Sequence, residues 1–104
     1  MAIQPKKYKT LGAGFEVKVV KITIKNLTDL VAYICRNGGA ATGHIGRPEY
    51  NRPARIRIKQ LTYGNNWSKK DWRVANLGDY IIRWENGDFE RIKAADFDNH
   101  FVAI

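Results

Sequence analysis

Gly78-Asp79-Tyr80-Ile81-Ile82-Arg83-Trp84-Glu85-Asn86-Gly87-Asp88-Phe89 is the stretch on which the fold turns. Tyr80, Ile82 and Trp84 alternate with Ile81, Arg83 and Glu85, the period-2 pattern of a strand with one face toward a core. Asn86-Gly87 supplies two residues that tolerate positive φ, as a tight hairpin turn needs. The chain then returns through Phe89 and Ile92. Asp79, directly after Gly78, is placed to start the turn into the strand. Beyond the hairpin, residues 94–100 predict one or two helical turns, with Phe97 and Phe101 on one face and a short apolar end at 102–104.

Working outward, residues 15–25 predict a strand. Phe15, Val17 and Val19 share one parity and Val20, Ile22 and Ile24 the other, a change of phase that a β-bulge or a bend would produce. The best helix runs from about 27 to 37. Leu27, Leu30, Val31, Ile34 and Cys35 form one apolar stripe at i, i+3, i+4, i+7 and i+8. Asn26 and Asp29 make a capping-box-like start, and Asn37-Gly38-Gly39 ends the helix. Residues 40–53 predict a long loop, broken by Gly43, Gly46, Pro48 and Pro53. Residues 54–63 predict a strand with Ile56 and Ile58 facing in and Arg55, Arg57 and Lys59 facing out. Trp72 and Val74 fit another short strand. Residues 1–14, with Lys6, Lys7 and Lys9 around Tyr8, predict a flexible basic arm. The expected fold is therefore a single α+β domain over 15–104. It has a small, curved, partly barrel-like antiparallel sheet of about five strands, one amphipathic helix and a short C-terminal helical turn.

A chain of 104 residues with 12 aromatic side chains and 44% apolar residues has one modest core and is not a disordered tail. No apolar run approaches the ~18 residues of a membrane span, so no membrane role is expected. One cysteine cannot form an internal disulfide, which leaves the cytoplasm as the expected compartment. The net charge of +8 is unevenly placed. Residues 1–25 carry +5 and residues 36–73 carry +7, whereas residues 74–104 carry −3. A basic front of this kind suits a polyanion or an acidic protein surface; its bland alternative is a solvated basic surface.

The chemistry-bearing residues are sparse. His44, His100 and Cys35 do not assemble into a metal set, and Cys35 on the apolar stripe predicts a buried structural thiol. The carboxylates fall in turns and at element ends, where acids cap and solubilise. Gly12-Ala13-Gly14 precedes a strand rather than a helix and is no phosphate loop. No catalytic, cofactor-binding or metal-ligating residue is assigned, and no enzymatic activity is expected. The candidate site is a basic and aromatic set: Arg55, Arg57 and Lys59 on one strand face, about 7 Å apart, flanked by Arg47, Tyr50 and Arg52 before and by Trp67, Lys69, Lys70 and Arg73 after. Cations at that spacing can neutralise successive phosphates, and Tyr50 or Trp67 can stack on a base. The same set serves as an Arg/Tyr/Trp anchor against an acidic protein, whereas a purely structural reading puts Trp67 and Trp72 in the core.

The Gly78-Asp79-Tyr80-Ile81-Ile82 strand, Gly87 and Phe89 in the return, and Phe97 with Phe101 at the end form a pattern that resembles small accessory proteins of tailed bacteriophages and prophages. Those proteins end in a G-D-[WY]-I-[IV] strand, a G-E-[FY] return and an F-x-x-x-[YF] finish. Asn26-Leu27-Thr28-Asp29-Leu30 after the strand at 17–24 matches the front half of the pattern, and the similarity covers about residues 15–35 and 55–101. This chain departs from it in the loop at 40–53, in Gly87-Asp88-Phe89 and in its basic charge. The resemblance implies a phage accessory protein in the cytoplasm of an infected bacterium, binding a host protein or protein–nucleic acid complex, as an inhibitor or anti-defence factor. It carries over no catalytic residue. The alternative is direct, sequence-tolerant binding of DNA or RNA. A monomer or a dimer is compatible with the exposed edges of a small sheet.

Overall fold

A computed structural model of the chain describes residues 3–64 and 67–104, with the backbone alone for Pro48 and for residues 61–64 and 67–70. The fold is α+β. In chain order the elements are β1 (Lys6–Thr10), β2 (Glu16–Lys21), α1 (Leu27–Arg36), β3 (Ala41–His44), β4 (Arg55–Gly64), β5 (Trp67–Asn76), β6 (Tyr80–Arg83), β7 (Phe89–Ile92), α2 (Ala94–His100) and β8 (Phe101–Ala103). They form two antiparallel sheets, one of five strands in the order β7-β6-β2-β1-β8 and one of three in the order β3-β4-β5. The larger sheet keeps open edges at β7 and β8. The expected single sheet of about five strands is thus two sheets, neither closed into a barrel.

The larger sheet is covered on both faces, and this explains the phase change in β2. Val17 and Val19 pack with Ile82, Phe97 and Phe101 under α2, on one face. Val20 and Ile22 pack with Ile81, Phe89, Leu30 and Ile34 of α1, and Ile56 and Ile58 of the smaller sheet, on the other. The β2–β6 register runs unbroken from Lys18 opposite Arg83 to Lys21 opposite Tyr80. No bulge is needed, because a strand buried on both sides carries apolar residues at both parities. Ile81 and Ile82, adjacent in sequence, are both essentially inaccessible and point into the two different cores.

The segment expected to be a flexible basic arm contains an interior strand. β1 pairs with β2 from Lys6 opposite Val19 to Lys9 opposite Glu16, and with β8 from Tyr8 opposite Ala103 to Thr10 opposite Phe101. Its hydrogen bonds are made on both edges, while only Tyr8 of its side chains packs against a core. Backbone pairing, to which the polar side chains are indifferent, therefore holds a strand that hydropathy does not mark.

The hairpin β6–β7 forms with a longer turn than the two-residue one expected at Asn86-Gly87: the Trp84 N–H donates to the Asp88 carbonyl at 2.9 Å across three loop residues. Gly87 adopts φ 90°, whereas Asn51 is the one non-glycine residue with positive φ among those described. The Gly87 N–H donates to the Trp84 carbonyl at 2.9 Å, and the Asp88 N–H donates to Asn86 Oδ1 at 2.9 Å. Helix α1 ends as its glycines predict, with Gly38 at φ 87° and the Gly39 N–H donating to the Ile34 carbonyl at 2.9 Å. Its start differs. Asn26 does not cap the helix with its side chain; Oδ1 accepts from the Thr23 N–H at 2.9 Å and Nδ2 donates to the Lys21 carbonyl at 2.8 Å. Cys35 is exposed rather than buried: Leu27, Leu30 and Ile34 are the buried residues of α1, Val31 and Tyr33 pack partly against the same core, and the stripe does not widen to its ninth position. Its thiol donates to the Ala41 carbonyl at 3.6 Å.

Candidate partner-binding face

The long loop expected at 40–53 shrinks because its first residues form β3, which pairs with β4 from Ala41 opposite Ile58 to His44 opposite Arg55. Residues opposite one another in an antiparallel pair share a face. Ile56, Ile58 and Ala75 are fully buried, so their parity faces inward, against α1 and the larger sheet. The other parity is the outer face. It carries Arg55, Arg57 and Lys59 on β4, with Asn76, Val74 and Trp72 opposite them on β5. Thr42 and His44 of β3 stand opposite Arg57 and Arg55.

This outer face has a defined centre. Trp72 is 41% and Val74 44% exposed, so Trp72 lies on the surface rather than in the core. The Arg57 guanidinium carbon stands 5.5 Å from the Trp72 ring centroid, a cation–π contact that holds two exposed side chains in place. Arg55 Nη1 donates to the Pro53 carbonyl at 3.2 Å, which steadies the first cation of the row. None of the paired outer-face residues from Arg55 to Lys59 and from Trp72 to Asn76 is a carboxylate; Asp71 and its opposite number Gln60 have the inward parity. Among these described positions of the two strands, the row therefore faces no carboxylate.

The remaining candidate residues are distributed around this centre. Arg47 and Arg52 pair with each other in the β3–β4 connection, where the Arg47 N–H donates to the Arg52 carbonyl at 2.8 Å. Tyr50, at the end of a short 3-10 turn between them, is 65% exposed, and Ile45 beside this loop is 78% exposed. These residues flank the Arg55 end of the row. The backbone places Trp67, Lys69 and Lys70 on β5 opposite Gly64, Thr62 and Leu61, beyond the Lys59 end. Their side chains lie outside the described residues. Arg73 does not belong to the face. It stands opposite Ile58 with the inward parity, and its Nη1 reaches the Trp72 carbonyl at 3.5 Å. It follows Trp72 by one residue, and a one-residue step along a strand reverses the side.

Trp72, Val74 and Thr42 were not among the residues singled out from sequence. The alternation Trp72-Arg73-Val74 was visible, but which parity faces out is set by the β4–β5 register. Among the described residues, no group of three or more His, Cys, Asp or Glu side chains could hold a metal ion, and no helix is long and apolar enough to cross a membrane. No protein-family model, no curated protein and no solved structure matches the chain.

Proposed function

We propose that the chain is a non-enzymatic accessory protein that binds an acidic surface on a partner protein through the outer face of β3–β5. The observation that carries this reading is the Arg57–Trp72 pair, exposed at the centre of a carboxylate-free face between Arg55 and Lys59. Arginine and tryptophan are the side chains that anchor protein interfaces, and Val74, Ile45 and Tyr50 add exposed apolar surface that a phosphate backbone would not use. The resemblance of the β6–β7 and α2 sequences to phage accessory proteins supplies the context. In it the partner is a host nucleic-acid-processing or defence complex in the bacterial cytoplasm, and the protein acts as an inhibitor.

A second reading is direct, sequence-tolerant nucleic-acid binding, favoured by the alternation of Arg55, Arg57 and Lys59 about 7 Å apart along β4. The two are separated by a salt series. Labelled single- and double-stranded DNA and RNA are titrated with the wild type and with Arg55→Glu/Arg57→Glu, alongside capture from nuclease-treated host lysate. The protein-partner reading expects nucleic-acid binding to be lost by about 0.15 M salt, since each phosphate contact contributes close to one unit of salt slope. It also expects a captured protein that disappears with the double variant. Steep binding that persists at physiological salt would replace it with the second reading. Capture that survives the double charge reversal would exclude this face.

A further inference from the structure

The larger sheet carries a second concentration of positive charge, on surface remote in sequence from the β3–β5 face. Lys7 of β1 stands directly opposite Lys18 of β2, and Lys18 directly opposite Arg83 of β6. Three cations thus occupy one row across three adjacent strands, a span of about 10 Å at the usual interstrand spacing. Like charges directly opposite one another destabilise a sheet. The row lines an open hollow of about 420 Å³, together with Glu16 and Glu85. Glu16 is taken up by Lys7, with Oε1 3.7 Å from Nζ. Among the described residues, Lys18 and Arg83 have no carboxylate within ion-pair distance, and the Arg83 guanidinium is steadied over the Phe89 ring at 5.7 Å.

We infer that the Lys7–Lys18–Arg83 row is a binding site for the dianionic phosphate of a small phosphate monoester. Three cations that line one hollow offer their charge to one compact group rather than to successive links of a chain. A phosphate monoester brings close to two negative charges and three acceptor oxygens. The Arg83 fork matches two of those oxygens and the lysine ammoniums supply point charges. The inference is independent of the partner proposed for the β3–β5 face.

The test is an amide chemical-shift titration of the isotope-labelled protein with inorganic phosphate and with glycerol phosphate, against chloride at matched ionic strength. The expected result is a saturable shift confined to the surroundings of Lys7, Lys18 and Arg83, with the ester binding at least as tightly as free phosphate. Lys18→Gln should weaken it about tenfold. Lys18 is exposed, so this variant keeps its fold, and thermal denaturation provides the second readout. Without phosphate, Lys18→Gln should raise Tm by removing like-charge repulsion; with phosphate, the wild type should gain stability and the variant should not. Several results would overturn the inference: no saturable shift, an equal shift along Arg55 to Lys59, affinity indifferent to Lys18→Gln, binding of inorganic phosphate alone, or a lowered Tm of the variant without phosphate.

Discussion

At the scale of single residues, Asp79 does more than start a turn. Its Oδ2 accepts from the Asn76 N–H at 2.9 Å and its Oδ1 from the Ala94 N–H at 3.0 Å. One carboxylate therefore joins the end of β5, the start of β6 and the first turn of α2. Asp79→Ala is expected to lower stability by about 2 kcal/mol, because two backbone donors lose a charged acceptor together. Urea denaturation measures this, and a loss below about 0.5 kcal/mol would show that water replaces the carboxylate. The Gly-Asp pair was legible in the sequence as a turn signal. Its reach to Ala94 was not, since a contact across fifteen residues depends on where the second core puts α2. Arg73 and Trp72 make the same point at the candidate face: alternation gives two sides, and only the partner strand says which of them meets water.

At the scale of elements, the parts with a strong local pattern were the legible ones. The stripe of α1 buries Leu27, Leu30 and Ile34 but not Cys35, β4 buries Ile56 and Ile58 as its alternation selects, and β6 buries Ile82 together with Ile81 of the other parity. β1 was missed because Lys6–Thr10 earns its place by pairing on two edges, a property of its neighbours. Helix α2 is held differently from α1. Phe97 is its one buried residue, stacked on Tyr80 with ring centroids 3.8 Å apart and meeting Tyr8 edge-on at 5.0 Å. Phe97→Ala is expected to cost about 4 kcal/mol and to free α2 from the sheet, since a seven-residue helix has little stability of its own. Equilibrium unfolding gives the magnitude, and near-ultraviolet circular dichroism reports the loss of the aromatic cluster. An unchanged aromatic signal would mean that Phe101 and Tyr80 hold the second core without it.

At the scale of the whole molecule, two cores share one sheet, and the shared strands are β2 and β6. Opening either core alone leaves these two strands covered on their other side, so their amides should exchange only through global unfolding. Native-state hydrogen exchange is expected to find the slowest amides at Val19, Val20, Ile81 and Ile82; slower exchange in β4 would place the stable nucleus in the smaller sheet. The partner proposed for the β3–β5 face would then meet a scaffold whose slowest-exchanging strands lie in the other sheet. The pairing of β1 with β8 has a further consequence during synthesis on the ribosome. The strand Lys6–Thr10 emerges early, yet its second neighbour arrives only with residues 101–103. Until then a nascent chain that has paired β1 with β2 leaves the other side of β1 open, where a neighbouring polypeptide could add to it. The lysines at 6, 7 and 9, mute as a folding signal, are suited to that interval: their charges repel a second strand while the chain waits for its own.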